Sequence, residues 1–103
     1  MDLTVHPEAR RLTDIENLQF TKLGYVSGLP IFDRPSVKKI EQRFWAMREA
    51  LSPDLDFNRV NCWHKANRWV YDLTLTPALL NYVEDILGPS FFLWGAQFFC
   101  KFP

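Results

Sequence analysis

Cysteine is scarce in this sequence: Cys62 and Cys100 are the two thiols among 103 residues. Two are too few for a disulfide framework. They read as free thiols in a reducing compartment, with a single Cys62–Cys100 pair left open. Neither sign of charge is in excess, since 12 Lys and Arg face 12 Asp and Glu for a formal net charge of +0. A dedicated nucleic-acid binder carries a basic excess or stripe, and a membrane-surface anchor carries a polybasic cluster. Neither partner is therefore expected. Long hydrophobic runs are missing as well: nothing approaches the roughly 18 apolar residues that a span requires. The opening MDLTVHPEARR has no signal-peptide apolar region, so the expected location is the cytoplasm. Repeats, low-complexity tracts and Gly/Ser linkers are absent, as are a Gly-rich phosphate loop, a G-x-S-x-G elbow and a paired-carboxylate motif.

What is present is a globular composition, 48% hydrophobic and 23% charged, on a length that suits one small domain. Aromatic residues reach 16% and crowd toward the end, with five Phe and one Trp in residues 91–103. A finished domain usually ends in a polar, fraying tail. A chain that stops at Cys100-Lys101-Phe102-Pro103, inside its most apolar stretch, is expected to be truncated.

Residues 1–11, with His6, Pro7, Arg10 and Arg11, read as a loosely held arm. Thr13 and Glu16 have the capping-box spacing, Ile15 and Leu18 follow at helical intervals, and Gly24 suits a helix terminus, which predicts a first helix. Residues 25–29 predict a short strand, and Pro30 and Pro35 bracket a turn. Ser36 is placed as the cap of a second helix whose stripe is Val37, Ile40, Phe44, Met47 and Leu51. Residues 56–67 read as irregular and 68–75 as a short helix. Thr76-Pro77 starts a further helix that buries Leu79, Leu80, Val83, Ile86 and Leu87 and stops at Gly88-Pro89. Residues 90–101 predict a strand. Phe92, Trp94, Ala96, Phe98, Cys100 and Phe102 make one apolar side of it, and Leu93, Gly95, Gln97, Phe99 and Lys101 make a mixed side suited to a partly polar interior.

The ordered set Val70-Tyr71-Asp72-Leu73, Pro77-Ala78-Leu79-Leu80, Val83-Glu84-Asp85-Ile86-Leu87-Gly88-Pro89 and Leu93-Trp94-Gly95-Ala96-Gln97-Phe98-Phe99-Cys100-Lys101 resembles the phytanoyl-CoA dioxygenase family. Residues 12–29 look like the family's opening helix leading into a G-Y-V strand, and 36–51 like the amphipathic helix after it. The resemblance covers residues 12–103, as the N-terminal part of such a domain. It implies an α+β fold, N-terminal helices packed on the first strands of an incomplete double-stranded β-helix, or jelly roll. It also implies an iron(II)- and 2-oxoglutarate-dependent oxygenase that acts on a small-molecule substrate. In the family a His-x-Asp pair and a distant His hold the iron, and an Arg holds 2-oxoglutarate. These follow the Lys-x-Pro at the end of this sequence, so the 103 residues alone are expected to be inactive and to bind neither cofactor.

Carried over residue by residue, Gln97 would touch 2-oxoglutarate and Lys101 would steer an anionic ligand, against the plainer reading of two solvated strand residues. His64, in Asn61-Cys62-Trp63-His64-Lys65, would contact substrate near a pocket entrance, against the plainer reading of a structural histidine. His6-Pro7-Glu8 has the His-x-carboxylate spacing, but a terminal arm does not hold ligands within the tolerance of a metal site. The rival classes are a small aromatic-rich interaction module without catalysis and, disfavoured by the neutral charge, a single-strand nucleic-acid binder. An open, aromatic final strand also predicts self-association.

Overall fold

The computed structural model describes residues 1–101, and half of the chain is helical. Helix α1 is Asp14–Leu23, α2 Arg34–Glu49, α3 Trp63–Ala66, α4 Arg68–Thr74 and α5 Pro77–Leu87; a single 3-10 turn covers Phe57–Arg59. Among the described residues there is no β-strand, only one isolated antiparallel bridge between Val5 and Phe32. This corrects the expected α+β jelly-roll fold. Residues 25–29 and 90–101 contain strand-forming side chains, but a strand exists only when a second backbone meets its ladder groups. None does so here. Phe102, assigned to the apolar side, and Pro103, the end of the Lys-x-Pro pattern, lie outside the described residues.

The helix ends follow from local chemistry. Glu16 donates its N–H to the Thr13 hydroxyl at 3.2 Å, and Thr13 donates its N–H to the Glu16 carboxylate at 2.9 Å, completing the capping box. Gly24 closes α1 at φ 80°, a conformation that disfavours any residue with a Cβ. At α2 the cap is Asp33, whose carboxylate accepts from the Ser36 N–H at 2.9 Å. Ser36 was the expected cap. It instead sits in the first turn, where its hydroxyl accepts the Thr4 N–H at 2.7 Å and is only 2% exposed. Thr76 and Pro77 start α5 as expected, but the Thr76 hydroxyl caps nothing.

Residues 1–12 are fastened along their length, where a loosely held arm was expected. His6 donates its N–H to the Ile31 carbonyl and Asp33 donates its N–H to the Thr4 carbonyl, at 2.9 and 3.0 Å. The Leu12 N–H donates to Asp85 at 2.9 Å, and the Arg11 guanidinium pairs with the same carboxylate at 2.8 Å. Tyr82, 3% exposed, donates its hydroxyl to the Pro30 carbonyl at 2.8 Å and accepts the Arg10 N–H at 3.3 Å. Tyr82, rather than the aliphatic residues assigned to that role, is the most deeply buried residue of α5, and Leu87 is exposed.

The apolar core lies at the other end of the helical set. Phe57, Trp63, Trp69 and Val70 form its buried centre, with Ile40, Phe44, Met47 and Leu51 of the α2 stripe packed against it. Its rings meet edge-on and tilted: Phe44 and Phe57 at 5.5 Å, Phe57 and Trp63 at 4.7 Å. Such pairs add about 0.5–1.5 kcal/mol beyond their area burial. Among the described residues, no helix is long and apolar enough to cross a membrane.

Candidate functional site

The residues singled out for chemistry fall on two short segments beside the aromatic core, the turn and helix of 57–66 and the extended run of 96–101. Phe98 fixes their relation. Its ring lies 5.2 Å from Phe44 and 6.1 Å from both Trp63 and Trp69, which seats the run against the core. Ala96 and Cys100 pack inward with it, and the Trp63 N–H donates to the Ala96 carbonyl at 3.2 Å. The period of two expected for this run is visible from 96 to 100. It then fails: Phe92 and Trp94, on the same side, are 82% and 88% exposed. Their part of the run does not join the aromatic core.

Asn58, which sequence reasoning missed, takes the place of a neighbouring strand. Its side-chain amide donates to the Cys100 carbonyl at 3.2 Å and accepts the Cys100 N–H at 2.9 Å, as one residue of a ladder would. Its backbone carbonyl accepts the Gln97 side-chain N–H at 2.6 Å. Asparagine in a turn-rich stretch is an ordinary loop residue by sequence, and no signal in the sequence links it to positions 97 and 100.

Gln97 is exposed, with one amide hydrogen committed to Asn58 and its side-chain oxygen unused among the described residues. Lys101, four residues on, is also exposed. His64 is half-buried on α3, and its Nδ1 is buried without a partner among the described residues, as is the Trp63 Nε1. Cys62 precedes them in the left-handed region at φ 59°, where the chain reverses into α3. Among the described residues, no hydrogen bond or ion pair joins Gln97, Lys101 and His64 to one another. Both cysteines are free thiols.

A second feature is a groove of about 650 Å³ between α4, α5 and residues 91–93, lined by Tyr71, Leu75, Leu79, Val83 and Phe92. It is mostly apolar, and the Tyr71 phenol is the one ionisable side chain in its lining. The expected aliphatic face of α5 is partly spent on this groove instead of on a closed core.

The residues present do not fit an iron centre. Among the described residues, no group of three or more His, Cys, Asp or Glu side chains converges on one point. The His6–Glu8 spacing is occupied locally: the Glu8 N–H donates to His6 Nδ1 at 3.0 Å, which uses that nitrogen's lone pair.

The lowered carboxylates belong to the ties of the N-terminal segment, while Arg68, on α4, is raised by its bond to Asp72. Asp85 is held below the usual carboxylate range, first by the Arg11 guanidinium and then by the Leu12 N–H. Glu16 is lowered by the Thr13 N–H and by Arg10. Asp33 is lowered by the Ser36 hydroxyl and N–H. All three stabilise the fold of the N-terminal segment, and none faces the groove or Gln97 through any of these bonds. No protein-family model, no curated protein and no solved structure matches this chain.

Proposed function

We propose that these 103 residues are the N-terminal helical part of an iron(II)- and 2-oxoglutarate-dependent oxygenase resembling the phytanoyl-CoA dioxygenase family. In this reading the metal ligands and the arginine that holds 2-oxoglutarate follow the matched motif, and the present chain is inactive by itself. The observation that supports it is the order of elements under the motif. Residues 70–73 lie on α4, and Pro77, Leu79, Leu80, Val83 and Ile86 lie on α5. Gly88 turns the chain at φ 82°, and Ala96, Phe98 and Cys100 return to pack against the core. Gln97 and Lys101 are the residues offered to the cosubstrate, and His64 the one offered to the substrate. Two free thiols accord with a reducing, cytoplasmic setting. The role of this part is mechanical: it supplies a packed wall for the reacting half and keeps water from one side of it.

Extending the reading frame beyond Pro103 tests the proposal. A His-x-Asp in the extension, and succinate formed from 2-oxoglutarate with iron(II) by the extended protein but not by the 103 residues, is the expected result. A native stop codon after Pro103, or succinate formed by the purified 103-residue chain, overturns it.

One observation favours a second reading, an interaction module without catalysis. Phe92, Trp94 and Phe99 are each more than four-fifths exposed on one short run, and large exposed apolar patches mark contact surfaces. Under that reading the native stop codon is present, and a second copy or a protein partner covers these rings. The stop codon separates the two readings, and sedimentation of the chain and of a Phe92→Ser, Trp94→Ser, Phe99→Ser variant tests whether these rings form the contact. Association of the first but not of the second, together with a native stop codon after Pro103, supports the module.

A further inference from the structure

We propose that residues 91–95 pair edge to edge with the same residues of a second copy of this chain, as an antiparallel two-fold dimer centred on Leu93. The inference deepens the interaction reading above and rests on it, naming the partner of the exposed rings and their register.

The backbone carries the first observation. From Ser90 to Cys100 the chain runs with neither turn nor bend. Among the described residues, no hydrogen bond reaches the N–H or C=O groups of residues 91–95. Further along, the Trp63 N–H meets Ala96 and the Asn58 side chain meets Cys100. The open edge is thus confined to the segment that carries Phe92 and Trp94. An edge of this kind accepts another strand. The devices that usually blunt one are missing, since residues 90–99 hold no charged side chain and no proline.

Self-complementarity carries the second observation and selects a second copy as the occupant. An antiparallel pair centred on Leu93 sets Phe92 opposite the partner's Trp94. The two-fold axis then sets Trp94 opposite the partner's Phe92. These two rings share one side of the run and are 82% and 88% exposed, and aromatic cross-strand pairs are stabilising. The same register sets Phe91 opposite the partner's Gly95. Nothing lies within 4 Å of the position a Cβ would take at Gly95, and an aromatic ring covers such a gap in a sheet. Centred on Phe92 instead, the pair would waste Trp94 on Ser90 and Gly95 on Pro89. The two rings bring roughly 300–400 Å² per copy, less than the roughly 800 Å² of a standard interface. The dimer is accordingly weak and reversible, with a dissociation constant on the order of 10 μM.

Sedimentation over a concentration series, with NMR on a mixture of isotope-labelled and unlabelled copies, tests this. A monomer–dimer equilibrium is expected, with intermolecular nuclear Overhauser effects from the Phe92 ring to the Trp94 indole and from the Phe91 ring to the Gly95 α-protons. Trp94→Ser should weaken dimerisation about tenfold or more, because the axis removes the ring twice. Its thermal unfolding as a monomer should be unchanged, since that ring is exposed. Phe99→Ser, outside the paired residues, should leave dimerisation intact. A monomer at every concentration, contacts between the two Phe92 rings, equal weakening by Phe99→Ser, or assemblies that grow past the dimer overturn the pairing alone. A reading frame that continues past Pro103 overturns the interaction reading and the pairing with it, so the two failures are told apart.

Discussion

Around Ser36, Tyr82 and Asp85 the chain is tied by directional bonds, whereas around Phe57, Trp63 and Phe98 it is held by ring against ring. The first region joins residues distant in sequence, Thr4 to Ser36, Leu12 to Asp85 and Pro30 to Tyr82. It buries few large side chains in doing so. The second also joins distant residues, but through apolar contact among α2, the 57–70 stretch and Phe98. A polar tie is lost with one donor or one proton, while a packed ring is lost only with its volume. The two regions should therefore fail under different insults.

The largest effect is expected in the aromatic region. Trp63→Ala removes a ring that is 5% exposed and touches both Phe57 and Phe98, at a cost of about 3–5 kcal/mol. Urea unfolding followed by fluorescence should show the chain unfolded, or nearly so, in buffer. A loss below 1 kcal/mol would mean that the rings do not form the core.

Asn58→Ala should cost about 1–2 kcal/mol, since it strips both bonds to Cys100. Hydrogen exchange should locate the loss at the Cys100 amide, with Phe98 still packed. Ser36→Ala should cost about 1 kcal/mol by leaving the Thr4 N–H without its acceptor. Its signature is faster exchange in residues 4–12, with the aromatic core unaltered.

Acid should act on the polar region alone. Asp33, Glu16 and Asp85 are all held below their ordinary values of 3.8, 4.5 and 3.8. A lowered carboxylate stabilises fully above the unfolded-state pKa and loses that contribution as pH falls through the folded one. The denaturation midpoint should thus be level above about pH 5 and fall below it, and Asp85→Asn should flatten part of that fall. A midpoint that rises on acidification would contradict the assignment. The smallest effect is expected at Phe99→Ser, within about 0.5 kcal/mol, because an exposed ring contributes little to folding.

The local chemistry of single elements was legible in the sequence. A Thr and a Glu three residues apart, a Gly after the last apolar repeat, and apolar residues at three-and-four spacing are instructions carried within one turn. They place α1, α2 and α5 and the stripe from Ile40 to Leu51. Thr13, Gly24 and Phe44 needed no distant partner to be read. The cap of α2 was misplaced by three residues because Asp33 and Ser36 are both good caps. The choice between them came from Thr4, which claims the Ser36 hydroxyl.

Tertiary structure alone decided whether extended residues became strands. Alternation in 90–101 says that two faces differ, but a ladder needs a second backbone, and only position in space supplies one. Here a single asparagine fills that role over one residue pair, and Phe98 packs against the core while Trp94, on the same side, is 88% exposed. Tyr82 and Thr76 show the same limit from the polar side. Both are unremarkable on a helix wheel, and their hydroxyls acquire a partner, or lack one, through residues far away in the chain.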